Sequence, residues 1–105
     1  MGNVVLLYDP SDHTWALRRI KRLWDEGNVI LLPHARKRME ERRLDTLDIQ
    51  YIIRYGLIVE HSRPKELWRY KIQGKALDAR KASVLVEIDI HSVIIVTVLG
   101  GKKVR

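Results

Sequence analysis

A chain of 105 residues, 46% hydrophobic and 31% charged, has room for one core and too much apolar content for the disordered class. Twenty Lys and Arg against thirteen Asp and Glu leave a formal charge of +7, which favours a polyanionic partner: nucleic acid, an anionic membrane or an acidic protein. With no cysteine, disulfide frameworks, thiolate metal sites and Cys nucleophiles are excluded.

No apolar stretch approaches the ~20 residues of a membrane span, and the run over 93–99 is far too short. The opening residues 1–8 lack the charged and long apolar regions of a secretory signal. A single soluble domain over 1–105 is expected, in the cytoplasm and without a membrane partner.

In chain order, Asp9-Pro10-Ser11-Asp12 is turn chemistry that also caps a helix, because Ser and Asp side chains accept from free N–H groups of a first turn. Ala16, Ile20, Leu23 and Trp24 then follow at three- and four-residue spacing and Gly27 supplies a stop, predicting a helix over 13–26. Residues 29–32 form a short apolar run, a strand or an extended segment. Pro33 suits the first position of a second helix over 34–43, held on the core by Ala35 and Met39. Asp45 or Thr46 caps a third, with Asp48 in its first turn, Ile49, Ile52 and Ile53 as its buried stripe and Gly56 at its end.

Beyond Gly56 the period becomes alternating. Residues 57–61 alternate; Trp68, Tyr70 and Ile72 alternate with Arg69 and Lys71; Val84, Val86, Ile88 and Ile90 alternate with Glu87 and Asp89. Residues 93–99 are nearly all apolar and β-branched, as in a central strand covered on both faces. His91-Ser92 is a tight connection that pairs the last two strands antiparallel. The expected fold is α+β: two or three N-terminal helices packed on an antiparallel sheet of about four strands.

The segment richest in chemistry is His34-Ala35-Arg36-Lys37-Arg38-Met39-Glu40-Glu41-Arg42-Arg43. At helical spacing His34, Arg38 and Arg42 form one slanting stripe that borders the buried Ala35 and Met39, at the seam between helix and sheet. The helix dipole disfavours an imidazolium in the first turn, so His34 is expected neutral near pH 7. A neutral imidazole beside two guanidiniums suits removal of a proton from a ribose hydroxyl and stabilisation of a charged phosphorane. The plainer alternative is that His34 caps or packs the helix start and the arginines form a solvated face.

Charge is also uneven. Residues 18–43 hold nine basic side chains against four acidic ones, and Arg18, Arg19 and Arg22 on the first helix would offer a phosphate-binding surface. Tyr70 lies on an aromatic strand face that either stacks bases or builds the core. Lys75, Arg80 and Lys81 flank the turn over 74–79, where they either grip a scissile phosphate or stand in an exposed hairpin loop. Thr97 is the one polar residue of the last strand. His13, His34, His61 and His91 lack metal-ligand spacing, so no metal site or cofactor is expected. Gly100-Gly101 precedes a short basic tail, which leaves no phosphate-cradling loop.

With these residues in view, the chain resembles the small prokaryotic family called domain of unknown function 4258, over roughly 29–99. The likeness rests on His34-Ala35-x-x-Arg38-Met39-x-x-Arg42, the following helix over 44–56, and a strand-rich end closing at Val96-Thr97-Val98. That family is similar to the RelE-like and barnase-like toxin superfamily, which includes the motility quorum-sensing regulator toxin. The resemblance implies metal-independent RNA cleavage by the toxin of a toxin–antitoxin pair. His34, Arg38 and Arg42 are carried over from the motif; Tyr70, Arg80 and Lys81 follow from hydroxyl and cation placement alone. Family members commonly place Gly after the last Arg of the motif, where this chain has Arg43.

Two functions are therefore expected to compete. In an endoribonuclease, His34 would be base or acid, Arg38 and Arg42 would hold the phosphate, and Tyr70 or Lys81 would assist the leaving group. Arg80, Arg18, Arg19 and Arg22 would bind RNA, and the partners would be RNA, an acidic antitoxin and the ribosome. The alternative is a non-catalytic basic module that binds nucleic acid or an acidic protein.

Overall fold

The computed structural model describes residues 9–101. The opening run over 1–8 and the basic tail beyond Gly101, on which two of the expectations above fall, lie outside the described residues. Helix α1 (His13–Asp25) starts where the Asp12 carboxylate accepts from the Trp15 N–H at 3.0 Å. It ends on Gly27 at φ +78°, with Asn28 N–H donating to Leu23 O and Gly27 N–H to Trp24 O. This paired closure needs a left-handed residue, which glycine adopts without a Cβ clash. Ala16, Leu17, Ile20 and Leu23 are its buried face.

Strand β1 (Val29–Leu31) leads through Leu32 into α2 (Pro33–Arg42), which has Pro33 in its first turn and no side-chain cap. His34 therefore caps nothing. Ala35 and Met39 are the buried positions of α2, as the spacing predicts. Helix α3 (Thr46–Tyr55) opens with a reciprocal capping box: the Asp45 carboxylate accepts from Asp48 N–H at 3.0 Å and that of Asp48 from Asp45 N–H at 2.9 Å. The second Asp48 oxygen accepts from Leu77 N–H at 3.0 Å, so a buried carboxylate joins α3 to the β3–β4 turn. Satisfying both oxygens with N–H donors offsets its desolvation.

Four longer strands complete the sheet: β2 (Leu57–Ser62), β3 (Trp68–Lys75), β4 (Lys81–Ile88) and β5 (Val93–Gly100). The order is β1-β5-β4-β3-β2, antiparallel throughout except that β1 runs parallel to β5. The α+β class is as expected, but the sheet has five strands and is mixed rather than a four-strand antiparallel meander. The three-residue β1 was too short for its partner to be read from pattern, and parallel pairing places that partner at the far end of the chain.

In register, Tyr70, Val86 and Ile95 form one row across the sheet and Ile72, Val84 and Val98 another, and all are buried in one cluster with the helix residues. The three helices thus cover a single face. β5 is interior to the sheet, but Ile94, Val96 and Thr97 on it remain half-exposed, so the expected cover on both faces is absent among the described residues. The second face carries Arg69 opposite Glu87, bonded at 2.8 and 3.1 Å.

Candidate nucleic-acid interface

Along α2 the polar stripe divides. His34 is exposed at the start, and Arg38 is half-exposed with a long 3.5 Å contact to Glu41 one turn on as its ion pair among the described residues. Arg42 turns inward: its Nη1 donates to Gly100 O at 3.0 Å and Gly101 O at 3.4 Å, while its Nε is buried with no hydrogen-bond partner among the described residues.

Arg80 completes this clasp. Its Nη1 donates to Arg42 O at 2.6 Å, its Nη2 to Arg43 O at 2.7 Å, and its Nε to the Asp78 carboxylate at 2.7 Å. That bond from Arg80 is the main reason the Asp78 carboxyl sits below its ordinary 3.8. A planar guanidinium reaches two successive carbonyls at a helix C-terminus, where the dipole also favours a cation. Arg43, where the family commonly has Gly, is left-handed at φ 52°, and Leu44 N–H donates to Met39 O across it.

Arg42 and Arg80 therefore hold the end of α2 to the last strand and the β3–β4 turn; these bonds occupy the groups expected to grip phosphate. Eight helical steps carry the chain from His34 to Arg42, a rise of roughly 12 Å. Tyr70 is 0% exposed, a core residue in the row with Val86 and Ile95, so its aromatic face builds the core instead of assisting a leaving group. Lys81 is exposed at the start of β4, opposite Lys75 in register. Thr97 pairs with Leu85 on the second face of the sheet, away from the helices. Of the expected α2 site, the structure brings Arg42, Arg80 and the β4 start together and leaves His34 and Arg38 along the open part of the helix.

The α1 residues behave differently. Trp15, Arg18, Arg19 and Arg22 line one shallow groove of about 350 Å³. Arg18 is exposed; Arg19 is braced by an Nη2 bond to Ile90 O at 2.6 Å; among the described residues Arg22 has a loose 3.4 Å pair with Glu26, with 70% and 47% of the two side chains exposed. Such an exposed pair holds its partners weakly. Trp15 is half-buried against the core and edges the groove with its open part, while the guanidiniums offer phosphates several donors. Arg18 also lines an adjoining groove of about 340 Å³ with His13, Thr14, Leu17, Lys21, Leu57 and Ile58.

At the edge of that second groove, His13 Nε2 and His61 Nδ1 are 2.8 Å apart, their rings edge to face at 77°. Trp68 and Tyr70 lie behind His61, with ring centroids at 5.8 and 6.4 Å. The Asp9 carboxyl is lowered chiefly by hydrogen bonds from Ser11, with a smaller contribution from the nearby His61. From sequence these histidines stand out only as possible metal ligands, for which their spacing is wrong. Lying forty-eight positions apart and in different elements, they gave no spacing signal. Among the described residues no group of three or more His, Cys, Asp or Glu converges as a metal site, and no helix is long and apolar enough to cross a membrane.

A five-strand mixed sheet with three helices on one face and a cationic first helix defines a small basic α+β domain. The chain belongs to the family described as a domain of unknown function, DUF4258, whose profile matches residues 31–99. The match takes in the His34-to-Arg42 stripe and the antiparallel strands as far as Leu99, but leaves α1 and most of β1 outside. No curated protein and no solved structure matches the chain.

Proposed function

We propose that the chain acts on RNA: α1 seats a single strand, and the domain cleaves it without metal as a RelE-like endoribonuclease toxin of the cytoplasm, restrained by an acidic antitoxin. The groove of Trp15, Arg18, Arg19 and Arg22 is the observation that carries this reading. The guanidiniums match the phosphates of a strand whose bases are unstacked, and the open part of the half-buried Trp15 gives a base an aromatic contact at the groove's edge. The net charge of +7 adds long-range attraction for RNA, and for a ribosome if the strand is held there.

Binding is tested by fluorescence anisotropy of a labelled RNA oligonucleotide over a range of salt. Replacing Arg18, Arg19 and Arg22 with Ala together should make the slope of log K against log salt shallower by about two, because each single-strand phosphate neutralised by the protein contributes roughly 0.7. An unchanged slope would remove α1 from the interface. Cleavage is tested by incubating the protein with the same RNA in EDTA.

A second reading, a non-catalytic RNA-binding module, draws on the burial of Tyr70 and the commitment of Arg42 and Arg80 to backbone carbonyls. It predicts the same salt dependence with intact RNA recovered at every enzyme concentration.

A further inference from the structure

The direct bond between His13 and His61 has a chemical property that neither residue has alone. Two imidazoles joined nitrogen to nitrogen share one proton, so one ring donates and the other accepts. In the neutral pair, the ring that donates across the 2.8 Å bond keeps a lone pair on its outer nitrogen, and the ring that accepts keeps an N–H on its own. The two outer nitrogens, His13 Nδ1 and His61 Nε2, thus present one base and one acid. Taking up a proton at the basic end drives the shared proton across and frees the proton at the acidic end. His34 is a single imidazole and has no such coupled partner among the described residues.

Position adds to this. His13 lines the groove that contains Lys21, and Arg18 lines both that groove and the one with Trp15, Arg19 and Arg22. A strand held on α1 therefore passes the histidine pair with Arg18 between.

We infer that His13 and His61 are the acid–base pair of RNA cleavage, an inference that rests on the reading above that the chain cuts RNA. The basic nitrogen removes the proton of a ribose 2′-hydroxyl, whose oxygen forms a bond to the adjacent phosphorus. The P–O5′ bond breaks, and the acidic nitrogen gives its proton to the departing 5′-oxygen. One proton enters the pair and one leaves, so it ends as the opposite tautomer and is reset by exchange with solvent. The products are a 2′,3′-cyclic phosphate and a 5′-hydroxyl. Arg18 and Lys21 stabilise the charge on the non-bridging oxygens, and no metal or redox partner enters the balance.

The experiment separates proton transfer from the bond that ties α1 to β2. His13→Gln places an amide where Nε2 lies, and His61→Asn places one where Nδ1 lies, so each retains a hydrogen bond but cannot relay a proton. Full-length protein is incubated in EDTA with an RNA oligonucleotide and with its all-2′-deoxy counterpart. Wild type should cut only the RNA and leave cyclic-phosphate ends. Each variant should lose about 100-fold or more in rate, while RNA affinity stays within about twofold and the thermal midpoint is retained. In the wild-type protein, addition of the uncut deoxy strand should shift the NMR signals of both imidazoles, a measurement that needs no variant to fold. Variants cutting at wild-type rate while His34→Ala is inactive, or imidazole signals unmoved by the bound strand, would overturn the inference and leave RNA cleavage standing. Wild-type protein that binds RNA and leaves it intact would overturn the cleavage reading and this inference with it.

Discussion

Replacing Arg80 with Ala distinguishes a structural clasp from a phosphate ligand. The guanidinium makes two short bonds to the carbonyls of Arg42 and Arg43, and its side chain is only 18% exposed. Bonds from a charged donor contribute at least about 1.5 kcal/mol each, so the pair is worth about 3 kcal/mol. The cation's position at the end of α2 adds roughly 0.5 kcal/mol through the helix dipole. Freeing a long side chain returns up to about 1.5–2 kcal/mol of rotamer entropy. The net expected loss is about 2 kcal/mol, which lowers the thermal midpoint of a domain this size by roughly 8–16 °C. Far-UV circular dichroism under heat and urea at pH 7 measures it. Arg80→Lys, which can reach one carbonyl but not span two, should fall about halfway. Arg80→Ala protein that unfolds with wild-type stability, or that keeps its stability and loses RNA affinity, would refute the clasp and return Arg80 to the phosphate.

Three further outcomes follow from local geometry. Gly56→Ala would place a Cβ 2.5 Å from Ile52 O and 2.6 Å from Gln73 O, and this overpacking between α3 and β3 should cost about 1–3 kcal/mol in urea unfolding; wild-type stability would contradict it. Arg43→Gly removes the left-handed penalty at φ 52°, less glycine's entropy cost, so the midpoint of chemical unfolding should rise by the equivalent of about 0.5–1 kcal/mol; a fall would show that the Arg43 side chain has a role of its own. Because Arg80 lowers the folded-state pKa of Asp78, that pair stabilises the fold above pH 3.8 and its contribution is lost as pH falls through the lowered value. Asp78→Asn should therefore be less stable than wild type above pH 3.8 and converge on it as pH falls through the lowered value, and a difference that stays constant across that range would exclude the linkage.

The elements built from local chemistry were readable in advance. Asp12 and Asp45 cap helices, Gly27 closes one, and Ile49, Ile52 and Ile53 are buried at their expected spacing because each signal lies within a turn or two of chain. Gly56 ends α3 as expected, but for a reason no pattern conveys: it is at φ −82°, and what it lacks is room for a side chain against Gln73. The basic row of α1 was visible because Arg18, Arg19 and Arg22 share one helix face. Tyr70 and Arg80 show where reading stops. An alternating strand has two faces, and only the packed helices decide that the aromatic one is the core. A cation in a turn looks the same whether it awaits phosphate or already holds carbonyls. The bond between His13 and His61 depends on α1 lying against β2, which no spacing along the chain encodes.

The parallel pairing of β1 with β5 bears on how the chain acquires its shape. Val29 aligns with Val93, so the shortest strand is held by the last one, and the loop this closes contains two helices and three strands. Antiparallel β2, β3, β4 and β5 can assemble from neighbours in sequence, whereas the edge strand β1 must wait for a distant partner. The order of assembly is thus expected to run from hairpins to edge, with β1 and α2 docking late onto a β5 already paired with β4. Until then Ala35 and Met39 remain uncovered, and a partner that occupies the open edge of β5 at that stage would arrest folding before β1 joins the sheet.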